Sequence, residues 1–262
     1  MRTSQRCSSC RPGTVDPFSL PRWMPSARRA RVARLRTMET TGTAGLDDPA
    51  YRAAVVDLLG VLAYGELTAC IRMATDSDLA PSLRIKAQMA GFAATEYRQY
   101  ELLVDRLTAM GVDAESAMQP FVTPFSAFHD RTKPKSWVEG LIKAYVGDGI
   151  AKDFYREMAN FVDAETRAVM DHALDDAGAG DFIVSVVRDA IQTDRTASGK
   201  LSLWGRRLLG EALSQGQSVA VERDALTGLL VGGGADLTAI GQMFTRLTDR
   251  HSQRMARLGL SA

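Results

Sequence analysis

Two absences in this sequence narrow the class of protein before any motif is considered. Only three cysteines occur in 262 residues, two of them among the first ten, so a disulfide framework is excluded and a reducing, cytoplasmic location is expected. No run of about eighteen apolar residues is present, which argues against a membrane span. The pair Cys7 and Cys10 has no second Cys or His pair nearby and is therefore only weak evidence for zinc.

Several motifs that would identify an enzyme class are also missing. The sequence has no phosphate-binding loop, no zinc-protease helix and no Gly-x-Ser-x-Gly elbow. The Gly-rich stretch at 231–236 lacks the Lys-Ser/Thr that follows in a phosphate loop, so we interpret it as the end of a helix. What is present is an ordinary globular composition, 45% apolar and 24% charged, which is sufficient for a packed core.

The charge is divided unevenly along the chain. Residues 1–47 contain nine arginines, no lysine and three acids, a balance of +6, so the rest of the chain carries −5. This mildly acidic body argues against broad electrostatic binding of nucleic acid by the folded part.

Residues 1–47 have the composition of a disordered segment. They hold four of the nine prolines and the Arg-rich run 28–36, and they lack apolar periodicity. An Arg-rich, acid-poor leader resembles a transit peptide or a basic arm, although the interpretation we prefer is that the natural start is Met38. We expect residues 1–47 to contribute nothing to the fold and residues 48–262 to form a single helical domain.

From Asp47 onward the pattern predicts an all-α protein. Asp47 or Asp48, followed by Pro49, begins a first helix that ends near residue 75. Ser77 or Asp78 begins a second helix that ends before residue 111, and the two helices form an antiparallel hairpin. Residues 112–134 show no sustained helical period and are interpreted as a long crossover connection. Further helices are predicted at about 136–161, 163–177, 181–193, 201–230 and 236–258.

Four of these helices each carry one acid on an otherwise apolar face. Glu66 has Leu59 and Leu62 before it and Cys70 and Met73 after it at helical spacing. An ionised carboxylate removed from water needs a counter-charge, so the pattern predicts a carboxylate-bridged pair of metal ions in a helical bundle with one long connection, as in ferritin-like folds. Four carboxylates would balance two divalent ions. The other three acids are Glu96, Asp148 and Glu211.

Pairing without metal is the alternative for the same acids. Lys152 lies one turn after Asp148, and Arg207 lies one turn before Glu211, so these two acids could be paired along their own helices. The other two inward acids have no such basic neighbour. For them the alternative is a proton shared between two carboxylates, with a raised pKa.

Five segments of the sequence carry a resemblance to a known group of proteins. The segments are YRAAVVDLLGVLAYGELTACIRM at 51–73, EYRQYE at 96–101, PFSAFH at 124–129, KAYVGDGIAKDFYRE at 143–157 and LWGRRLLGEALSQGQ at 203–217. They resemble the actinobacterial ferritin-like proteins described as similar to the tRNA 2-methylthio-isopentenyladenosine hydroxylase, a non-haem di-iron monooxygenase, and the resemblance covers residues 50–258. It implies a ferritin-like four-helix bundle with one long crossover and extra C-terminal helices. It also implies two iron ions as cofactor and an O2-dependent oxidase or hydroxylase acting on a small molecule or a modified nucleoside, and it leaves a homodimer open.

The sequence departs from this group at two expected ligands. Relatives tend to carry Glu-x-x-His on the second helix, where this chain has Gln99, and the second such histidine falls on Ser214. An amide oxygen is a weaker ligand than imidazole for a first-row metal. The function therefore divides into an oxygen-activating di-iron enzyme and a non-catalytic ferritin-like protein with a structural, metal-binding or partner-binding role. The candidate metal ligands are Glu66, Glu96, Gln99, Asp148 and Glu211, whereas His129, His172 and His251 are expected to be surface or satisfied residues.

Overall fold

The computed structural model describes residues 45–174, 178–194, 196–232 and 237–262. Within these ranges every regular element is helical, so the predicted all-α class is confirmed. All but the last three residues of the predicted leader, 1–47, lie outside the described residues. The α-helices are α1 (Pro49–Asp76), α2 (Leu83–Ala109), α3 (Ala114–Met118), α4 (Val122–Arg131), α5 (Trp137–Lys143), α6 (Gly149–Met158), α7 (Ala164–Ala173), α8 (Ala179–Thr193), α9 (Ala197–Glu222), α10 (Asp224–Gly232) and α11 (Leu237–Leu258).

The helices α1 and α2 form the predicted hairpin. The side chain of Asp48 accepts hydrogen bonds from two backbone amides of the first turn, at 2.8 and 3.2 Å, and Pro49 occupies the first helical position. The second helix begins later than predicted, because a 3-10 turn occupies Ser77–Leu79 and Ser82 is the residue that caps α2. Gly111 follows the end of α2 in the left-handed region, at φ 70°.

Helix α1 is the central helix of the core. Val55, Leu58, Leu59 and Leu62 are fully buried, and burial of a side chain of this size stabilises the fold by about 1.5–3 kcal/mol. By length and composition alone the segment Pro49–Leu79, with a mean hydropathy of 1.7, could cross a membrane. Its hydropathy is accounted for by its place under the other helices.

The crossover connection is more helical than predicted. It contains α3 and α4, joined by the 3-10 turn Gln119–Phe121. The crossover lies directly on α1, because Phe121 is fully buried and a Cβ at Gly60 would collide with the backbone carbonyl of Ala117. The segment interpreted as a crossover, 112–134, thus contains two helices, of 5 and 10 residues, that are too short to show a sustained apolar period.

The third predicted helix, 136–161, is interrupted at the position of an inward acid. Ser136 caps α5, and a π-helical segment, Ala144–Asp148, separates α5 from α6. Such a segment contains one residue more than the α-helical turn it replaces and is frequent at functional sites. Gly149 comes directly after it and packs against α11, because a Cβ there would collide with the guanidinium of Arg254.

The predicted helix 201–230 is two helices, α9 and α10. The chain leaves the helical conformation at Arg223, with φ −115° and ψ 82°. This break brings Arg223 to Asp57 of α1, and the Arg223 Nε donates to Asp57 Oδ2 at 2.9 Å. The Asp57 side chain is 8% exposed and is therefore largely removed from water, whereas the Arg223 side chain is 36% exposed. Asp57 is thus a further inward acid, which the analysis of spacing missed.

Candidate functional site

Three of the predicted site residues lie where two parts of the hydrophobic core meet. On α1, Glu66 lies between Leu62, which belongs to one apolar cluster, and Met73, which belongs to the other. Glu96 and Gln99 occupy the corresponding position on α2. All three polar side chains are buried, with exposed fractions of 4%, 9% and 4% for Glu66, Glu96 and Gln99.

A lysine joins two of the predicted acids. The Lys152 Nζ lies 3.2 Å from Asp148 Oδ2 and 3.6 Å from Glu96 Oε1, and its side chain is 5% exposed. Asp148 closes the π-helical segment and Lys152 follows on the first turn of α6, so both project towards the hairpin. The pairing of Lys152 with Asp148 along the helix is the alternative that the spacing indicated. Its second ion pair, to Glu96, was missed.

The surroundings of the Glu66 carboxyl favour its protonated form. Burial, together with the neighbouring Glu96 carboxyl, raises the pKa of Glu66 well above its ordinary value, although the charge of Lys152 acts in the opposite direction. Among the described residues, no hydrogen-bond partner reaches Oε2 of Glu66 or Oε2 of Glu96. Glu66 and Glu96 are therefore neighbouring buried carboxyl groups, each with one oxygen that lacks a partner. We name Glu66, Glu96, Asp148 and Lys152 the carboxylate–lysine centre.

The lysine of this centre stays charged. Burial alone would lower the pKa of Lys152, but the carboxylates of Asp148, Glu66 and Glu96 outweigh it and raise the pKa above its ordinary value. Tyr155 lies beside the centre, and burial and the charges of two of these acids raise the pKa of its hydroxyl. The centre is thus an ammonium surrounded by acids in a poorly hydrated space.

Glu211 lies apart from the carboxylate–lysine centre. Its carboxylate accepts a hydrogen bond from Arg131 Nε at 2.6 Å, and its side chain is 24% exposed. The predicted partner, Arg207, instead donates to the backbone carbonyl of Arg131 at 2.6 Å. Spacing along one helix predicted the wrong partner for Glu211, because Arg131 comes from α4, 80 residues away along the chain. Ser214, at the place of an expected histidine, is exposed.

One of the three histidines is buried and a second, His129, is half-buried, and neither is satisfied as expected. His251 is 1% exposed, and neither its ring nitrogens nor those of His129 have a hydrogen-bond partner among the described residues. Burial, with the nearby charges of Lys143 and Arg72, lowers the pKa of His129 to about 3, so its ring is neutral. His172 is exposed and bonds within its own helix.

A second group of charges joins α6 to α11 next to the centre. Asp153, whose side chain is 6% exposed, pairs with Arg254, and the Arg254 Nη2 also donates to the carbonyl of Gly149 at 2.8 Å. Glu157, one turn further on, accepts from Arg246 at 3.0 and 2.7 Å. We did not predict this group of charges from the sequence. The sequence does contain a signal for it, because the acids of α6 are four residues apart, and so are Arg246, Arg250 and Arg254 of α11.

The donor set does not fit the di-iron centre that the resemblance implies. A protonated lysine has three donors and no lone pair for a metal, and here it lies among the three acids that would be the ligands. Within the described ranges no group of three or more His, Cys, Asp and Glu side chains is arranged to hold a metal ion. The neutral ligand beside the pair is the amide Gln99, and Glu211 is engaged by Arg131.

Comparison with known proteins gives one result for this helical chain. Residues 49–233 match the family model described as a ferritin-like domain of actinomycetes. The match begins at the first residue of α1 and extends past the end of α10, so it includes the hairpin, the crossover, the π-helical segment and α9. No curated protein matches the chain.

Proposed function

The chain belongs to the ferritin-like domain family of actinomycetes, and we propose that it is a non-catalytic, small-molecule-binding member in which Lys152 takes the place of metal ions. The observation that carries the proposal is the position of one ammonium, 3.2 Å from Asp148 and 3.6 Å from Glu96. An internal lysine supplies the counter-charge that buried acids require, and it does so without a cofactor.

The charge balance supports this assignment. Lys152 places one positive charge between two of the three carboxyl groups of the centre, Glu96 and Asp148. The raised pKa of the third, Glu66, reduces the negative charge that a cation has to balance, and the Asp148 side chain is 31% exposed to water. Two divalent ions added to the lysine would place five positive charges against at most three negative ones. Loading the site with two ions would therefore require the lysine to leave or to lose its proton, and both are opposed by its raised pKa.

The alternative function is the di-iron oxidase or hydroxylase implied by the resemblance. One observation favours it, namely the two buried carboxylate oxygens, Oε2 of Glu66 and of Glu96, that lack a hydrogen-bond partner among the described residues. Gln99 and the lysine oppose it, because neither is a good ligand for a first-row metal. The two functions differ in what happens when ferrous iron is offered to the protein.

Anaerobic titration of the full-length protein with ferrous iron tests the proposal. We expect no stoichiometric uptake and no change in the melting temperature with iron or with a chelator. We expect Gln99→His alone to change nothing, and Lys152→Ala combined with Gln99→His to take up iron, because the cation is removed and an imidazole is supplied. The unaltered protein decides the question even if the double variant does not fold. Uptake of two ions per chain, followed by an oxo-bridge absorption band on exposure to O2, would overturn the proposal.

A further inference from the structure

A pocket of about 170 Å³ opens beside the carboxylate–lysine centre, between the π-helical segment, α6, the start of α8 and α11. A water molecule occupies about 30 Å³ in the liquid, so the pocket is large enough for a small organic or inorganic ion. Its apolar wall includes Met73 and Ile183. Its charged lining residues are Glu96, Asp148, Lys152, Arg156, Arg254 and Arg257.

The positive charges around this pocket exceed the negative ones. Glu96 and Asp148 are the two acids of its lining, and both are already paired with Lys152. The arginines on the other side share few carboxylates within the described residues. Asp153 pairs with Arg156, Arg250 and Arg254, while Glu157 pairs with Arg246 and Arg250. The lining itself therefore holds four cationic side chains, Lys152, Arg156, Arg254 and Arg257, against two acids.

One donor of an arginine that lines the pocket is buried and unsatisfied. Arg254 Nη1 has no hydrogen-bond partner among the described residues, although the same guanidinium is fixed through Nη2 by the carbonyl of Gly149 and the carboxylate of Asp153. An unpaired N–H of a charged group costs more than an unpaired neutral one, so an acceptor from outside the chain is expected at this position. The close packing of Gly149 against Arg254 holds the guanidinium in place.

A second arginine lies at the mouth of the pocket and is free to reorient. Arg257 donates to Asp181 at 2.6 Å, but both side chains are more than half exposed, and an ion pair in water contributes little. The Arg257 guanidinium also lies 6.0 Å from the centre of the Tyr145 ring. Rotation about its long side chain would bring it over a ligand held by Arg254.

We infer that this pocket binds a small oxyanion, a carboxylate or a phosphate, between Arg254 and Arg257, with Arg156 adding charge. The planar fork of a guanidinium matches the paired oxygens of either group. The inference rests on the proposed function in one respect, because Lys152 is counted as the resident cation that occupies Glu96 and Asp148. A ligand cation would compete with that lysine, whereas an anion meets the surplus of arginine.

Isothermal titration of the full-length protein with inorganic phosphate and, separately, with malonate tests the inference at an ionic strength held constant with sodium chloride. We expect one anion to bind per chain. Arg254→Lys keeps the charge but loses the fork, and Arg257→Gln removes the charge at the mouth; each is expected to weaken binding about tenfold or more. Arg98→Gln, an exposed arginine of α2, is the matched control and should leave the affinity unchanged. Tighter binding of phosphate or of malonate supports the inference in either case and identifies which oxyanion the pocket prefers.

Repeating the titration with the neutral chelator 1,10-phenanthroline separates this inference from the proposed function. Binding that persists with the chelator and weakens in the arginine variants supports the arginine pocket. Binding that disappears with the chelator would mean that a metal holds the anion, and both proposals would fall. If neither anion binds, or if the unaltered protein and Arg257→Gln bind equally well, the anion inference would be overturned but the proposed function would not. Arg257→Gln changes an exposed side chain, so this comparison remains decisive if Arg254→Lys does not fold.

Discussion

Two clusters in this molecule each surround a buried basic side chain, Lys152 in one and Arg106 in the other, but they differ in how many hydrogen-bond partners are present. In the carboxylate–lysine centre three acids surround one lysine, and two carboxylate oxygens have no hydrogen-bond partner within the described part of the chain. In the second cluster, near the other end of the hairpin, Arg106 of α2 donates to Thr166 at 3.2 and 3.4 Å, and its Nη1 lies 2.6 Å from Glu165. The first cluster thus contains carboxylate oxygens without hydrogen-bond partners, whereas Arg106 in the second cluster has several partners.

The second cluster also shows how a half-buried acid, Asp163, is kept ionised. Burial alone would raise the pKa of Asp163, but hydrogen bonds from Thr166 and Tyr51 and the charge of Arg106 hold it below its ordinary value. Asp163 also caps α7, at the first residue of the helix that the sequence predicted at 163–177. A cluster whose polar groups all have hydrogen-bond partners stabilises the packing of the helices. A cluster with unpaired polar groups can still accept a ligand. The contrast therefore assigns a structural role to one cluster and a binding role to the other.

Lys152→Met should have the largest effect on this contrast. Removing one partner from a buried ion pair costs about 3–5 kcal/mol, and here it removes the cation that pairs with both Glu96 and Asp148. Without the lysine the folded state favours the protonated form of the buried Glu96, so it binds more protons than the unfolded chain above about pH 4.5, and stability rises as pH falls. Urea unfolding at pH 5.5 and pH 8 measures the loss, which should be smaller at pH 5.5. An equal loss at both pH values would show that charge is not the cause.

Arg106→Met should have a smaller effect, about 2 kcal/mol, because the charge-assisted hydrogen bonds to Thr166 and Asp163 are lost but Tyr51 still reaches Asp163. The lowered pKa of Asp163 stabilises the fold above its ordinary carboxyl range, and this contribution is lost only at more acidic pH. The loss in the variant should therefore be the same at pH 5.5 and pH 8. Arg98→Met, on the exposed face of the same helix, is the control. A loss that changes between the two pH values would break the contrast with Lys152→Met.

Glu66→Gln should have the smallest effect, within about 1 kcal/mol near pH 4.5, because an amide can donate to Glu96 as the protonated acid does. The raised pKa of Glu66 means that the folded protein binds the proton more tightly than the unfolded chain. The unaltered protein must therefore lose stability as pH rises above about 4.5, and the variant lacks this slope. The difference in unfolding free energy between pH 4.5 and pH 8 measures it, with Glu101→Gln on the exposed face of α2 as control. Parallel pH profiles for the protein and Glu66→Gln would show that the pKa of Glu66 is not raised.

The features that the sequence predicted are those determined by neighbours along the chain. Asp48, Ser136 and Asp163 begin helices because each accepts a hydrogen bond from an amide within three residues. The inward direction of Glu66 and Glu96 follows equally from the 3.6-residue period of their helices. The hairpin and half of the centre could therefore be predicted from the sequence.

The features that were missed depend on contacts between distant segments. The 3.6-residue period assumes an unbroken helix, so it gave no sign of the π-helical segment that ends at Asp148. Arg131, Arg223 and Arg254 reach their acids from helices that lie 80 to 166 residues away along the chain. A sequence shows that an acid faces inward, but the identity of its partner follows only from the packing of the helices.

The π-helical segment, Ala144–Asp148, also bears on how this centre could arise or disappear in evolution. Its extra residue is equivalent to a one-residue insertion in a helix. An in-frame deletion of a single codon within the segment would restore a continuous α-helix and rotate everything that follows by about 100° relative to α5. Lys152 and Tyr155 would then turn away from Glu66 and Glu96, although no amino-acid type at the centre had changed. Whether these acids keep their counter-ion therefore depends on the number of residues in one helix. An alignment that compares residue types alone would not show that the counter-ion had been lost.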